Sequence, residues 1–200
     1  MQIFKQNQQG SNSIFKAKLG KNISQTLRKE FEYNPVKLQK YEQLFQDTFK
    51  KNIDENTILD INKENKLMFS HTLFPRIKFC QNYKLPKNEP LGKSIINQCS
   101  RTIGNGEYNL FQLIISTSIN NGKSFNKLFK LSEKLENDSS KKSFQNLLNI
   151  ATRIKKENPK SKLTFNDFSS MQMKIMEEEM HTEGSELSNL IKNLGLSIQY

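Results

Sequence analysis

The apolar residues of this chain recur at helical spacing along most of its length and alternate in one short central stretch. Ile23, Leu27 and Phe31 fall four apart and predict a helix from about Asn22 to Tyr33. Asn34-Pro35 then reads as a break and a restart, with Asn as N-cap and Pro in the first helical position. The next helix, 35–51, carries Leu38, Tyr41, Leu44, Phe45 and Phe49 on one stripe. Lys37, Lys40, Gln43, Gln46 and Lys50 occupy its other side, the pattern of a surface helix packed on a core. Residues 1–21 read as a disordered basic leader, in which Ile14, Phe15 and Leu19 could dock as a short strand or turn.

The period shortens to two between residues 56 and 80. Thr57–Ile61 and Lys66–Leu73 are rich in β-branched and apolar residues, and Asn62-Lys63-Glu64-Asn65 between them suits a four-residue hairpin loop. Leu67, Phe69, His71 and Leu73 then share one face. Pro75 is expected to stop the second strand, with a short third strand at Ile77–Cys80 and a linker over Gln81–Glu89.

From Pro90 onward the spacing is helical again. Leu91, Ile95, Cys99 and Ile103 mark a helix that Gly104-Asn105-Gly106 should end. Tyr108, Phe111, Ile114, Ile115 and Ile119 mark the next, ended by Asn120-Asn121-Gly122. Ser124 should cap a short helix, and Ser139 or Ser140 a longer one that stops at Asn158-Pro159. Thr164 with Asp167 resembles a capping box ahead of Phe168, Met171, Ile175, Met176 and Met180. Gly184 separates a last short helix with Leu187, Leu190, Ile191 and Leu194. The expected fold is mainly α: an irregular multi-helix bundle with a small antiparallel hairpin or three-stranded sheet near residues 56–80. After the leader, residues 22–200 are expected to form one helical domain, divided into N-terminal helices (22–53), a small β and linker region (54–89) and a bundle (90–200). No repeat of solenoid length recurs.

Composition changes this picture in two ways. The hydrophobic fraction is only 34%, and 23 Asn take up much of the difference, so the low hydrophobicity reads as polar loops and helix faces, not as wholesale disorder. The net charge is +11, carried by 27 Lys and only four Arg. Its distribution is uneven: residues 123–163 carry +7, whereas 164–200 carry −4. That asymmetry fits an acidic tail matched to basic helices, or two separate contact surfaces. No run approaches the roughly 20 apolar residues of a membrane span, and Met1–Gly20 lacks an apolar block of signal-peptide length. A soluble cytoplasmic protein is expected, with export by a signal-independent route left open.

Candidate chemistry is sparse. Gly92-Lys93-Ser94 and Gly122-Lys123-Ser124 match only the last three residues of a phosphate-binding loop, and the required upstream glycine is Lys87 in one and Thr117 in the other. Both read as helix stops and starts. Glu178 and His181 form one Glu-x-x-His pair where di-iron bundles use two. His71, Cys80, Cys99 and His181 have spacings that fit no zinc finger or ribbon. No catalytic motif, metal site or cofactor is therefore expected.

The function expected is a non-enzymatic protein–protein interaction module: an adaptor, an accessory subunit or a signal-less effector. Its partner surface would comprise Met171, Met176, Glu177, Glu178, Glu179 and Met180, because flexible thioethers suit adaptable contacts. The alternative is a nucleic-acid-associated protein contacting phosphates through Lys37, Lys40, Lys50 and Lys51 with Lys141, Lys142, Lys155 and Lys156. The scarcity of Arg argues against base-edge readout. A third reading is an enzyme whose dispersed site assembles only in the fold, with His71 the first residue to suspect.

Overall fold

A computed structural model describes residues 18–49, 53–87, 89–97 and 99–181. The expected helix over 187–194 and most of the leader lie outside these residues. The protein is mainly α with a small sheet, and the chain divides into two compact units whose boundary falls between Asn105 and Gly106.

The first unit opens on β1 (Lys18–Leu19), which pairs in parallel with β2 (Thr57–Ile61). Leu19 docks as a strand opposite Leu59, as its apolar character allowed. The crossover between these two strands contains α1 (Lys21–Glu30) and α2 (Pro35–Phe49), as a parallel connection requires. α1 buries Ile23 and Leu27, but it stops at Glu30 rather than near Tyr33. Glu32 and Tyr33 take left-handed backbone angles, φ 51° and 58°, and turn the chain there. Asn34 then caps α2, its side-chain oxygen accepting from the Val36 and Lys37 amides at 3.1 Å each.

The start of α1 is built from two directions. Its N-cap, Gly20, supplies no side chain; Asp60 of β2 does so instead, accepting from the Ile23 amide at 3.1 Å. Asn22 donates to the Ile61 carbonyl at 2.8 Å, and the Gly20 amide to the Leu59 carbonyl at 2.7 Å. A Cβ on Gly20 would stand 2.2 Å from Asp60 Cγ, so only glycine lets the carboxylate reach the helix. The same device recurs at α3 (Leu91–Asn97), where the carboxylate of Glu30 accepts from the Leu91 and Gly92 amides.

β2, β3 (Lys66–His71) and β4 (Phe74–Lys84) form the antiparallel part of the sheet, with Leu59 opposite Phe69 and Phe69 opposite Phe79. The loop Asn62–Asn65 falls where expected. Asn62 accepts from the Glu64 and Lys66 amides, and Asn65 adopts φ 63°, which Asn tolerates. Leu67, Phe69 and His71 are buried on one face, whereas Leu73 sits exposed in the β3–β4 turn. Two expectations need correction. Pro75 lies inside β4, because at the start of an edge strand its missing N–H removes no essential ladder bond. Gln81–Lys84 extends the same strand instead of forming a linker, and Asn65 clips its far end by bonding both backbone groups of Leu85.

Gly104-Asn105-Gly106 does not end a helix either. These residues lie within α4 (Cys99–Asn120), where buried Ile103, Glu107, Leu110, Phe111 and Ile114 continue one stripe across the glycines. Packing of that stripe outweighs the ~1 kcal/mol that each helical Gly costs relative to Ala. α4 stops at Gly122, with φ 80°; the Lys123 amide reaches the Ser118 carbonyl and the Gly122 amide that of Ile119. This is the Schellman closure that a C-terminal glycine permits.

In the second unit α5 (Phe125–Ser132) and α6 (Asp138–Glu157) pack together, and α7 (Phe165–His181) packs on α6. Phe144 meets Phe111 edge-on at 5.0 Å within a core that includes Ile114, Leu147, Leu148 and Phe168. The cap of α6 is Asn137, not Ser139 or Ser140. The Ser140 hydroxyl turns inward and donates to buried Glu107 at 2.6 Å. Ser124 holds the N-cap position of α5 without a side-chain bond.

The Asp60 cap predicts a specific non-additivity. Gly20→Ala should destabilise by about 1–3 kcal/mol through overpacking, and Asp60→Ala by about 0.5–2 kcal/mol through loss of the cap. Both remove the same contact, so in urea unfolding the double variant should fall well short of their sum. A strictly additive pair would contradict the clamp.

Candidate functional site

α7 begins with the expected capping box. Asp167 accepts from the Thr164 amide and hydroxyl at 2.7 Å each, and the Asp167 amide points back to the Thr164 hydroxyl at 3.4 Å. Asn120 at the end of α4 holds the preceding residue, bonding both backbone groups of Leu163 at 2.8 and 2.9 Å. From this start, helical spacing turns Phe168 and Met171 into the core and leaves Ile175 half-buried. Met173 and Met176 face outward, 63% and 57% exposed.

Along this outward side runs an open groove of about 830 Å³. One wall is α7, with Met173, Ile175, Met176 and Glu179; the other is α6, with Asn146, Asn149 and Ile150. Tyr108 of α4 also lines it, and its hydroxyl accepts a hydrogen bond from Gln172 of α7. Partial burial raises the Tyr108 pKa above its ordinary value, against a smaller opposing effect of that bond. Among the described residues, none of the lining side chains is basic. In a chain of net charge +11, that absence distinguishes the groove from the rest of the surface.

One cation on each wall helix is paired within the chain. Arg153 of α6 donates two hydrogen bonds to Glu178 at 2.6 Å each, and Lys174 meets Glu157 at 2.8 Å. The acidic end of α7 is thus matched in part to basic α6, one of the two arrangements that the charge asymmetry suggested. The Arg153 bonds hold the Glu178 carboxyl below its ordinary value of 4.5. Its contribution is present above that value and is lost as pH falls through the lowered one.

Of the surface expected from sequence, Met176, Glu177 and Glu179 are exposed. Glu178 is engaged by Arg153, and Met171 is only 6% exposed and belongs to the core. The Met180 side chain lies outside the described residues. Met173 takes the outward place instead; it stands three residues before Met176, which puts it on the same helical face.

The expected phosphate contacts do not form one cluster. Lys37 and Lys40 are exposed on α2, in the first unit; Lys50 and Lys51 lie outside the described residues. On α6, Lys141 pairs with Glu133, and Lys155 donates to the Pro159 and Ser161 carbonyls at 2.6 and 2.7 Å. Lys142 and Lys156 are exposed, about 21 Å apart along the helix.

His71 is fully buried. Its Nδ1 accepts the Leu73 amide at 3.2 Å, which places the ring proton on Nε2, 3.3 Å from Asp54 Oδ1. Asp54 is equally buried and also accepts from the Asn56 amide at 2.9 Å, so the pair ties the start of β2 to the end of β3. No substrate can reach that imidazole in the folded protein. Cys80 is a free, half-buried thiol beside Asn62, and the side chains of Cys99 and His181 lie outside the described residues. At Gly92 the helix N-terminus that a phosphate would need is occupied by Glu30. The described residues contain no group of three or more His, Cys, Asp or Glu able to hold a metal ion.

Two measurements check this geometry. In an NMR titration Glu178 should protonate below 4.5, and Arg153→Ala should move its midpoint back up toward that value. An unmoved midpoint would mean the pair is not formed in solution. Diethyl pyrocarbonate, which acylates accessible imidazoles, should leave His71 unmodified in the native protein and react with it after denaturation. No family model matches the chain, and neither does any curated protein or solved structure.

Proposed function

We propose that this chain is a non-enzymatic protein-interaction module that receives a partner segment in the groove between α6 and α7. The observation that carries the reading is the exposure of Met173 and Met176 side by side on that groove. Flexible thioethers adapt to irregular apolar surfaces, and amide side chains on the facing wall supply hydrogen bonds without fixing a charge. The scaffold is an irregular helical bundle, rigid where Phe111, Phe144 and Phe168 pack and adaptable only at its outer edge. The buried state of His71 supports a module rather than an enzyme. The engagement of Lys141 and Lys155 within the chain weighs against a phosphate-binding face. No helix among the described residues is long and apolar enough to cross a membrane. A free Cys80 thiol in a chain with only two cysteines supports a reducing compartment, the cytoplasm.

The test is a paired capture from native cells. Met173→Asp/Met176→Asp replaces exposed side chains, so its melting temperature should stay within a few degrees of wild type. Proteins retained by wild type and lost by this variant would support the groove. Retention that is instead abolished by nuclease and by Lys37→Glu/Lys40→Glu would replace it with the nucleic-acid reading.

A further inference from the structure

The α6–α7 groove has enough definition to say what kind of segment it takes, an inference that rests on the interaction reading above. Both walls are helices whose backbone groups are satisfied internally, so an extended peptide would find no free strand edge to pair with. Recognition must therefore come from side chains, the situation in which an amphipathic helix lies along a groove. From Ser169 to Glu179 the α7 wall is about 15 Å long, nearly three helical turns. That length accommodates apolar anchors at positions i, i+3 or i+4, and i+7, over Met173, Ile175, Met176 and Ile150.

Charge sets the orientation. Glu179 lines one end of the groove, and Glu177 is exposed beside it. Arg153 of α6 and Lys174 of α7 are already bound to Glu178 and Glu157. Among the described residues no cation stands within ion-pair distance of Glu177 or Glu179. Among the described residues one end of the groove is therefore acidic and unmatched, whereas the rest of the lining is neutral. We infer that the groove takes an amphipathic helical segment of a partner protein, with apolar anchors over the methionines and Lys or Arg at the end that meets Glu177 and Glu179.

A display library of 14-residue amphipathic helices with randomised outer positions tests this on the full-length protein. The same library is panned in parallel on Met173→Asp/Met176→Asp and on Glu177→Lys/Glu179→Lys. The expected result is enrichment of sequences with Lys or Arg concentrated at one end, lost on the methionine variant. On the charge-reversed variant these sequences should bind at least tenfold more weakly, and acidic-ended ones should replace them. Neutral sequences enriched on wild type and lost on the methionine variant would overturn the charge inference yet leave the groove in place. Sequences enriched equally on wild type and the methionine variant would remove the groove reading as well. Sedimentation that shows a wild-type dimer, dissociated by the methionine substitutions, would assign the groove to a second copy and overturn the inference.

Discussion

A carboxylate standing at the N-terminus of a helix to which it does not belong is the contact on which the first unit depends. Asp60 reaches from β2 to the first turn of α1, and Glu30 at the end of α1 reaches to the first turn of α3. Each supplies negative charge where unsatisfied amides and the helix dipole call for it. The two contacts run in series, so the sheet places α1 and α1 places α3. Two small residues make the series possible. Gly20 leaves room for Asp60, and Gly92 lets α3 approach Tyr41, whose ring a Cβ there would meet at 2.7 Å. His71 and Asp54 add a third link, a fully buried contact that joins the start of β2 to the end of β3.

The second unit is organised by apolar packing, and its polar contacts are local corrections. Ser140 and Glu107 satisfy each other between α6 and α4, where an unpaired carboxylate would be costly. Asn120 fixes where α7 begins, and Tyr108 with Gln172 fixes it again about two turns later. The sheet carries a different safeguard. Among the described residues β4 is an edge strand, and its 11 residues are long enough to attract unwanted pairing. It exposes Arg76, Lys78 and Lys84, and its register against β3 is broken near both ends. Charge and bulges of this kind turn an edge away from aggregation. Lys84 faces Lys66 across the ladder, and Glu64 offsets the repulsion by pairing with Lys66 at 2.9 Å.

What the sequence revealed depended on how local the cause was. Asn62–Asn65, Asn34-Pro35, Gly122 and the Thr164–Asp167 box are each decided within five or six residues, and all four were legible. The cap of α6 was not, because Ser140 is drawn inward by Glu107, a residue 33 positions away. Gly104 and Gly106 mislead for the same reason: the burial that keeps them helical comes from tertiary packing. The caps of α1 and α3 are supplied by Asp60 and Glu30, 37 and 61 positions from the amides they bind. No window of sequence shows them. In the candidate site the methionine run was visible in the sequence, but that Met171 turns inward and Met173 outward depended on the phase of α7 against α6. That phase is set by Phe168, which is fully buried.

The exposure of Met173 and Met176 is not the result of a loosely held helix. α7 is fixed at its start by Asn120, in its first turns by Phe168 and Met171, at Gln172 by Tyr108, and further along by Arg153 and Lys174. Phe168, Met171 and the ion pairs of Glu178 and Lys174 lie on other sides of the helix than the two methionines, whereas Tyr108 and Gln172 line the groove beside them. A rotation that buried Met173 would expose Phe168, a larger apolar side chain, and break the Glu178–Arg153 fork. Burying an exposed Met side chain is worth about 1.5–3 kcal/mol, so the pair represents several kcal/mol that folding alone leaves unrealised. A partner that covers them without moving α7 recovers that free energy at no expense to the core. On the proposed reading, a helix held in this way favours docking over rearrangement.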